Sequence, residues 1–389
     1  MKGMVIKMKI LIFGAGSTGR GHLAALLYEN GYTDITFVDK NIALVNMLKS
    51  AKAYKVHLLG EKERVIEIKD FKIIDREDED SIIKAFYEAD LVLTAVIAEN
   101  LGNVSEILVK AITERKTKKK ENYLNIIACE NLDNASSYLR EMTYNNLDEE
   151  TRAYADKYIG FPDAMISRVV PLAKDRPDYL VAEDYNEWVV RKSDFKGENF
   201  NIPFMNLVDN LEARLERKLW VHNGGHATVA YAGFLKGHKY IHEAVFDSEI
   251  SSFAGEVLDE LGDIVVHKHG FTNEQIREYE HNLVVRGSII EMKDDIARVV
   301  RDPIRKLGIR DRLMAPAIYA LENKLKNDKI LESIVNITLY YSPNDIESLK
   351  MKQNIENEGI RNFLEETIKL KKYPELVNRI IQIREKKVK

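Results

Sequence analysis

Along the first half of the chain, short runs of consecutive apolar residues alternate with segments whose apolar positions recur every three or four residues. The run Ile10 to Phe13 is a buried strand by this pattern. Glycines follow it, and then a helical spacing through Leu23, Leu26 and Leu27 that Gly31 is placed to end. "DITFVDK" reads as a second buried strand closing at Asp39, and the three pieces make one parallel strand-helix-strand unit. "KVHLLG" and "RVIEIKDFKII" read as strands around a turn at Gly60 to Lys62, "DEDSIIKAFYEA" as a helix and "DLVLTAV" as a buried strand. A helix from about Leu101 runs into the solvated charge run "TERKTKKKEN", and "YLNIIACEN" is a further buried strand. Alternation of this kind predicts an α/β fold with a doubly wound parallel sheet.

From about Lys196 the period changes. "NLVDNLEARLERKLW", "SEISSFAGEVLDELGDIV" and "DDIARVVRDPIRKLG" carry helical spacing and predict a mainly α-helical second half. No repeat, low-complexity tract or Gly/Ser-rich linker divides the halves, so the expected domains are 1–195 and 196–389, joined through irregular chain around Pro162, Pro171, Pro177 and Pro203. A length of 389 residues suits two cores better than one.

Composition narrows the function. Acids and bases nearly cancel, leaving a formal charge of -4 that offers no bulk attraction to nucleic acid or to an anionic membrane. Cys129 is the only cysteine, which excludes an intrachain disulfide framework or a cysteine-rich zinc site and fits a reducing cytoplasm. The opening "MKGMVIKMKI" lacks a signal-sequence core, no stretch approaches the apolar length of a membrane span, and the residues before Met8 read as a short extension.

Gly14, Gly16 and Gly19 satisfy GxGxxG directly after a strand and at the opening of a helix, the context that motif needs. The first glycine permits the tight turn, the second lets backbone approach a pyrophosphate, and the third lets helix and strand pack closely. Free N–H groups at the helix start, around Ala15, Ser17, Thr18 and Arg20, suit the phosphates. Asp39 stands 20 residues after Gly19, where a carboxylate accepts hydrogen bonds from ribose hydroxyls and repels a 2′-phosphate. The N-terminal half is therefore a Rossmann-type dinucleotide-binding domain, with NAD preferred over NADP, although Lys40 is a basic neighbour of the kind a 2′-phosphate meets. Thr94 and Ala95, at the end of a later strand, join the expected cofactor contacts.

In the second half, Lys218, Asn223 and His226 stand near a glycine pair. On one α-helix His226 lies about 80° and Asn223 about 140° around from Lys218, so the three share a face. Gly224 and Gly225 each cost a helix about 1 kcal/mol relative to alanine. That penalty points to a helix junction or to close approach of something without room for side chains, such as a cofactor ring or substrate. His222 and His226 have the spacing of a helical zinc pair but lack the glutamate of HExxH, and no metal is expected. His238 and His242 repeat the spacing with less support.

Lys218, Asn223 and His226 in KxxxxNxxH resemble the signature of the polyol-specific long-chain dehydrogenases, the mannitol dehydrogenase family. "FGAGSTGRGH", "ACENLDNAS", "FPDAMISRVVP" and "EDYNEWVV" resemble further family elements in the same order, and "DDIARVVRDPIRKLGIRDRLMAPA" resembles the C-terminal block of its sugar-phosphate members, which are of this length. "TAVIAEN" follows the family's TAVGxN in part, with Ile97 in place of glycine, and Gly224 stands where the phosphate enzymes commonly have threonine. The resemblance implies an NAD-dependent, metal-independent oxidoreductase acting on a CH–OH group. It implies Lys218 as general acid/base, Asn131 and Asn223 as amides that hydrogen-bond the developing alkoxide, and His226 as the group that orients the substrate oxygen. A small sugar phosphate or polyol is the expected substrate, with no nucleic-acid or membrane partner and a monomer or small homo-oligomer as the working form. Arg286, Lys293, Arg298, Arg301 and Arg305 are candidates for a substrate phosphate. The competing readings are a family member acting on an unphosphorylated polyol, ketose or hexuronate, and a dinucleotide-sensing regulator, for which a basic DNA-reading element is expected and absent.

Overall fold

A computed structural model describes residues 8–60, 62–171, 177–197 and 202–388; the proposed extension before Met8 lies outside these. The chain forms two compact units, residues 1–211 and 212–389.

In the first unit the apolar runs become strands β1 (Ile10–Phe13), β2 (Ile35–Asp39), β3 (Ala53–Leu59), β4 (Arg64–Lys69), β5 (Lys72–Asp75), β6 (Leu91–Thr94), β7 (Leu124–Ala128) and β8 (Ile159–Gly160). The central sheet has the order β5-β2-β1-β6-β7-β8 with every pairing parallel. This is the doubly wound arrangement, with its reversal of strand order between β1 and β6. β1 and β6 are fully buried, as strands covered by helices on both faces must be. One core, holding Ile10, Ile12, Leu23 and Phe37, lies on one side of the sheet; the other, holding Leu11, Phe13, Phe86 and Leu108, lies on the opposite side, so adjacent residues of β1 feed opposite faces.

Two expectations change here. The segment 64–75 is two strands in different sheets, broken at Asp70, whose φ of 61° no strand can carry. The first unit also runs past residue 195: β9 (Ala164–Ser167), β11 (Glu187–Arg191) and β12 (Asn206–Val208) form a small mixed sheet, and β10 (Tyr179–Glu183) pairs with β3. The described parts of the proline-rich stretch thus fold with this unit.

The second unit is helical among its described residues. The helix Ser248–His269 packs its apolar stripe of Val257, Leu261, Ile264 and Val265 into the core. The helix Asp328–Leu339 is buried along Ile330, Leu331, Ile334 and Val335. "DDIARVVRDPIRKLG" is two short helices, Ile296–Val299 and Pro303–Lys306, rather than one long one. Asp302 between them is left-handed at φ 58°, and Pro303 begins the second helix because it has no N–H to give the first. No helix among the described residues is long and apolar enough to cross a membrane.

Candidate active site

In the first unit, each fingerprint glycine is explained by what a side chain would meet. Gly14 has φ +99°, and a Cβ there would lie 2.4 Å from the Ala95 carbonyl oxygen, which fixes the turn against the end of β6. A Cβ on Gly19 would lie 1.9 Å from the Gly14 carbonyl oxygen, so the helix start and the turn touch backbone to backbone. Above Gly16 nothing lies within 4 Å. The close-packed positions and the open one fall where the motif puts packing and pyrophosphate.

Asp39 ends β2 and is tied into this turn. Its Oδ2 accepts the Ala15 N–H at 2.7 Å and its Oδ1 accepts the Asn41 N–H at 2.8 Å. A carboxylate has about four lone-pair positions, so both oxygens keep acceptor capacity for ribose hydroxyls. Lys40 donates to Asn100 Oδ1 at 3.1 Å, which gives its ammonium an occupation other than a 2′-phosphate. Ser17 and Thr18 stay half-buried at the helix start.

The side chains of Arg20 and Thr94 are engaged within the protein. Arg20 is buried, and its guanidinium donates to the carbonyls of Ala15, at 2.6 Å, and Pro177 while lying against the Tyr54 ring. Thr94 is buried at the end of β6 with its hydroxyl donating to Glu130 at 2.8 Å. Both side chains brace the turn and strand end from within the protein.

Glu130 itself escaped the sequence reading. It is 7% exposed, and its Oε1 also accepts the Val96 N–H at 3.0 Å, so one carboxyl joins the ends of β6 and β7. Burial pushes it up to about 7, against the pull of Thr94 and the Val96 N–H. The adjacent Cys129 thiol is buried and raised well above its ordinary value, which leaves it unreactive. Asn131 follows, exposed, four residues before the helix Ala135–Tyr144 begins, so it is not that helix's cap.

In the second unit, Lys218 to His222 are π-wound, between the α-helices Leu211–Arg217 and Asn223–Leu235. The Asn223 N–H donates to the Lys218 carbonyl, the i→i+5 bond of a π-turn. Residue 223 therefore follows residue 218 by one wide turn, and the angles expected of a uniform α-helix do not apply. His226, one α-turn further, meets Asp294 Oδ2 through Nε2 at 3.1 Å. Arg298 donates to Asp294 Oδ1 through Nη2 at 2.6 Å and Nε at 3.1 Å. Burial works against the Asp294 charge, yet His226 and Arg298 hold it below the usual carboxylate range. Asp294 is the second residue that sequence spacing did not reveal.

His222 belongs to this cluster. Its ring lies 6.1 Å from that of His226, and its Nδ1 is 3.4 Å from Arg286 Nη1. Burial pushes it well below its ordinary value, aided by Arg286, His226, Lys218 and Arg312, so Nδ1 accepts from the guanidinium. Among the described residues no group of three His, Cys, Asp or Glu side chains is arranged to hold a metal. His238 pairs with Asp247 at 3.3 Å, and His242 stacks on Tyr240.

The glycine pair has a different reason from the one expected. Gly224 and Gly225 are both buried; a Cβ on Gly225 would lie 2.7 Å from Leu258 Cδ2, and one on Gly224 would lie 3.1 Å from both Leu261 Cδ1 and the Arg312 carbonyl oxygen. They make room for the helix Ser248–His269 and the chain at Arg312, not for a ligand.

A doubly wound domain with this turn, followed by a helical domain carrying KxxxxNxxH on a π-wound segment, defines an oxidoreductase with a dinucleotide-binding half. The chain matches the mannitol dehydrogenase Rossmann domain over residues 8–204 and the mannitol dehydrogenase C-terminal domain over residues 210–386. It belongs to the mannitol dehydrogenase family. It is 36% identical to the mannitol-1-phosphate 5-dehydrogenase of Lactiplantibacillus plantarum over 370 residues, 95% of this chain and 96% of that one. It is also 36% identical to the enzyme of the same name from Thermoanaerobacter pseudethanolicus over 378 residues, 96% of this chain and 97% of that one. Among solved structures, Pseudomonas fluorescens mannitol 2-dehydrogenase in a ternary complex with NAD and D-mannitol shares the fold, with a TM-score of 0.74 at 17% identity, covering 97% of this chain and 91% of that one. A D-sorbitol dehydrogenase in substrate-free form aligns with a TM-score of 0.76 at 18% identity, covering 98% and 93%.

Proposed function

We propose that this enzyme interconverts mannitol 1-phosphate and fructose 6-phosphate with NAD, without a metal, using Lys218 as general acid/base. The observation that carries the reading is the π-turn in which the Asn223 N–H bonds the Lys218 carbonyl, beside the His226–Asp294 pair, in a chain 36% identical over nearly its whole length to mannitol-1-phosphate 5-dehydrogenases.

The first unit fits a dinucleotide: the space over Gly16 is open, the turn is fixed by Gly14 and Gly19, and Asp39 stands at the end of the neighbouring strand. Asp39 would favour NAD by accepting from both ribose hydroxyls. When bound, NAD would supply the hydride acceptor or donor. The remaining task is the proton. Lys218 in its neutral form accepts the alcohol proton as the C–H bond gives up its hydride, and in its charged form returns a proton to the ketone oxygen. The amides of Asn131 and Asn223 donate to the oxygen as charge develops, a role that needs donors which do not titrate. His226 orients that oxygen. Asp294 in turn fixes the imidazole by holding Nε2, which leaves Nδ1 for the substrate side.

NADH oxidation with fructose 6-phosphate, fructose, fructuronate and tagaturonate tests the assignment: turnover of fructose 6-phosphate is expected to exceed the others by orders of magnitude. Activity confined to the unphosphorylated substrates overturns it. Lys218→Ala is expected to lower kcat by at least about 100-fold while NADH still binds; surviving turnover removes Lys218 from its role.

A further inference from the structure

We infer that Arg286, Lys306 and Arg312 form the pocket that receives the phosphoryl group of the substrate, an inference that rests on the phosphorylated substrate proposed above. The first observation is Lys306. It is 5% exposed, its ammonium donates to the Arg301 carbonyl, and among the described residues it forms no ion pair with a carboxylate. Asp302 and Asp311 are its nearest acids in effect, but burial with Arg312 and Arg305 outweighs them and pushes Lys306 down to about 8. Burying an ammonium among cations is unfavourable unless an anion completes the site.

The second observation is that burial first, and then the positive charge of Arg286, His226, Lys218 and Arg312, keep His222 neutral, with Arg286 against its Nδ1. Arg312 acts on both His222 and Lys306, and its carbonyl packs at Gly224, two residues along the helix from His222. Asp311 offsets part of the Arg312 charge through Nε at 2.6 Å.

The other arginines proposed from sequence are sorted by the same contacts. Arg298 is committed to Asp294, and Arg305, 58% exposed at its side chain, pairs with Asp311 at 3.3 Å. Arg301 is exposed and donates to the Arg298 carbonyl. The chemistry of the substrate agrees with the placement. In fructose 6-phosphate the carbonyl carbon and the phosphate-bearing carbon are separated by most of the sugar chain. A substrate with its carbonyl at Lys218 would reach this pocket with its phosphate if its carbon chain runs along the helix toward His222. Guanidinium groups give the phosphate paired donors, and Lys306 adds a point charge.

The test is steady-state kinetics with fructose 6-phosphate and with fructose, on wild type, Lys306→Met, Lys306→Arg and Arg286→Leu, with inorganic phosphate as probe. Lys306→Met and Arg286→Leu are each expected to raise KM for fructose 6-phosphate by about 30-fold or more. Preference over fructose collapses, and competitive inhibition by inorganic phosphate is lost. Lys306→Arg is expected to retain most of both. Phosphate is expected to raise the melting temperature of wild type and not that of Lys306→Met; should that variant fail to fold, Arg286→Leu is read the same way. Unchanged KM and unchanged phosphate protection in both variants overturn the pocket while leaving the substrate assignment intact. A wild type that turns over fructose as readily as fructose 6-phosphate overturns the substrate assignment, and the pocket with it.

Discussion

Glu130 shows what a single buried carboxyl does at the edge of a cofactor site. It holds the Thr94 hydroxyl and the Val96 N–H, and so fixes the strand end that supports Gly14 through Ala95. Its folded value of about 7 stands above the ordinary 4.5. The sign follows: the neutral carboxyl is the one the fold favours, so its stabilisation is complete below about 4.5 and is lost as pH rises through about 7. Glu280 is raised to about 7 as well and contributes over the same window, so the comparison must be between variants. Glu130→Gln is expected to flatten the fall in melting temperature between pH 5 and 8 relative to wild type; parallel curves refute the account. Neither Glu130 nor Asp294 was legible as a working residue, because each earns its place through a partner 36 or 68 positions away in sequence. Gly14, Gly16, Gly19 and Asp39 were legible because a local turn dictates them.

At the scale of elements, the strand-turn-helix opening could be read directly, and its glycines divide into two mechanical kinds. Gly19→Ala drives a methyl into the Gly14 carbonyl, whereas Gly16→Ala meets nothing within 4 Å. Thermal melts and NADH titration should separate them. Gly19→Ala is expected to be destabilised by about 1–3 kcal/mol or more, and Gly16→Ala to melt like wild type but to bind NADH at least about tenfold more weakly. Equal behaviour would contradict the packing assigned to the turn. The strand break at Asp70 and the helix break at Asp302 were hidden inside good periodicity, since aspartate, though favoured in the left-handed region, is also an ordinary surface residue of strands and helices. The glycine pair at 224 and 225 misled for a related reason: Leu258 and Leu261, which require it, come from another helix.

For the whole molecule, the order of strands followed by helices gave the fold class, and the sheet order β5-β2-β1-β6-β7-β8 is the arrangement that such alternation implies. The extent of the first unit was less legible, because β9 to β12 follow the last strand of the main sheet, with β10 joining β3 and β4 and the other three forming a small sheet of their own. A near-neutral chain with one buried cysteine suits small-molecule chemistry handled by side chains. Turnover is accordingly expected to be unchanged after prolonged treatment with EDTA, with zinc addition giving no gain. Loss of activity on chelation, restored by metal, contradicts proton handling by Lys218 alone.

The π-turn at Lys218 to His222 also has a meaning for sequence length. Four residues stand between Lys218 and Asn223 because an i→i+5 bond closes that gap; a regular α-helix would place the corresponding pair one residue closer. Deleting one residue there lets the helix close normally, regain regular hydrogen bonds and rotate Lys218 away from its face. Such a shortened chain is expected to keep its helical content and to lose turnover; a shortened chain that still turns over refutes the role proposed for Lys218.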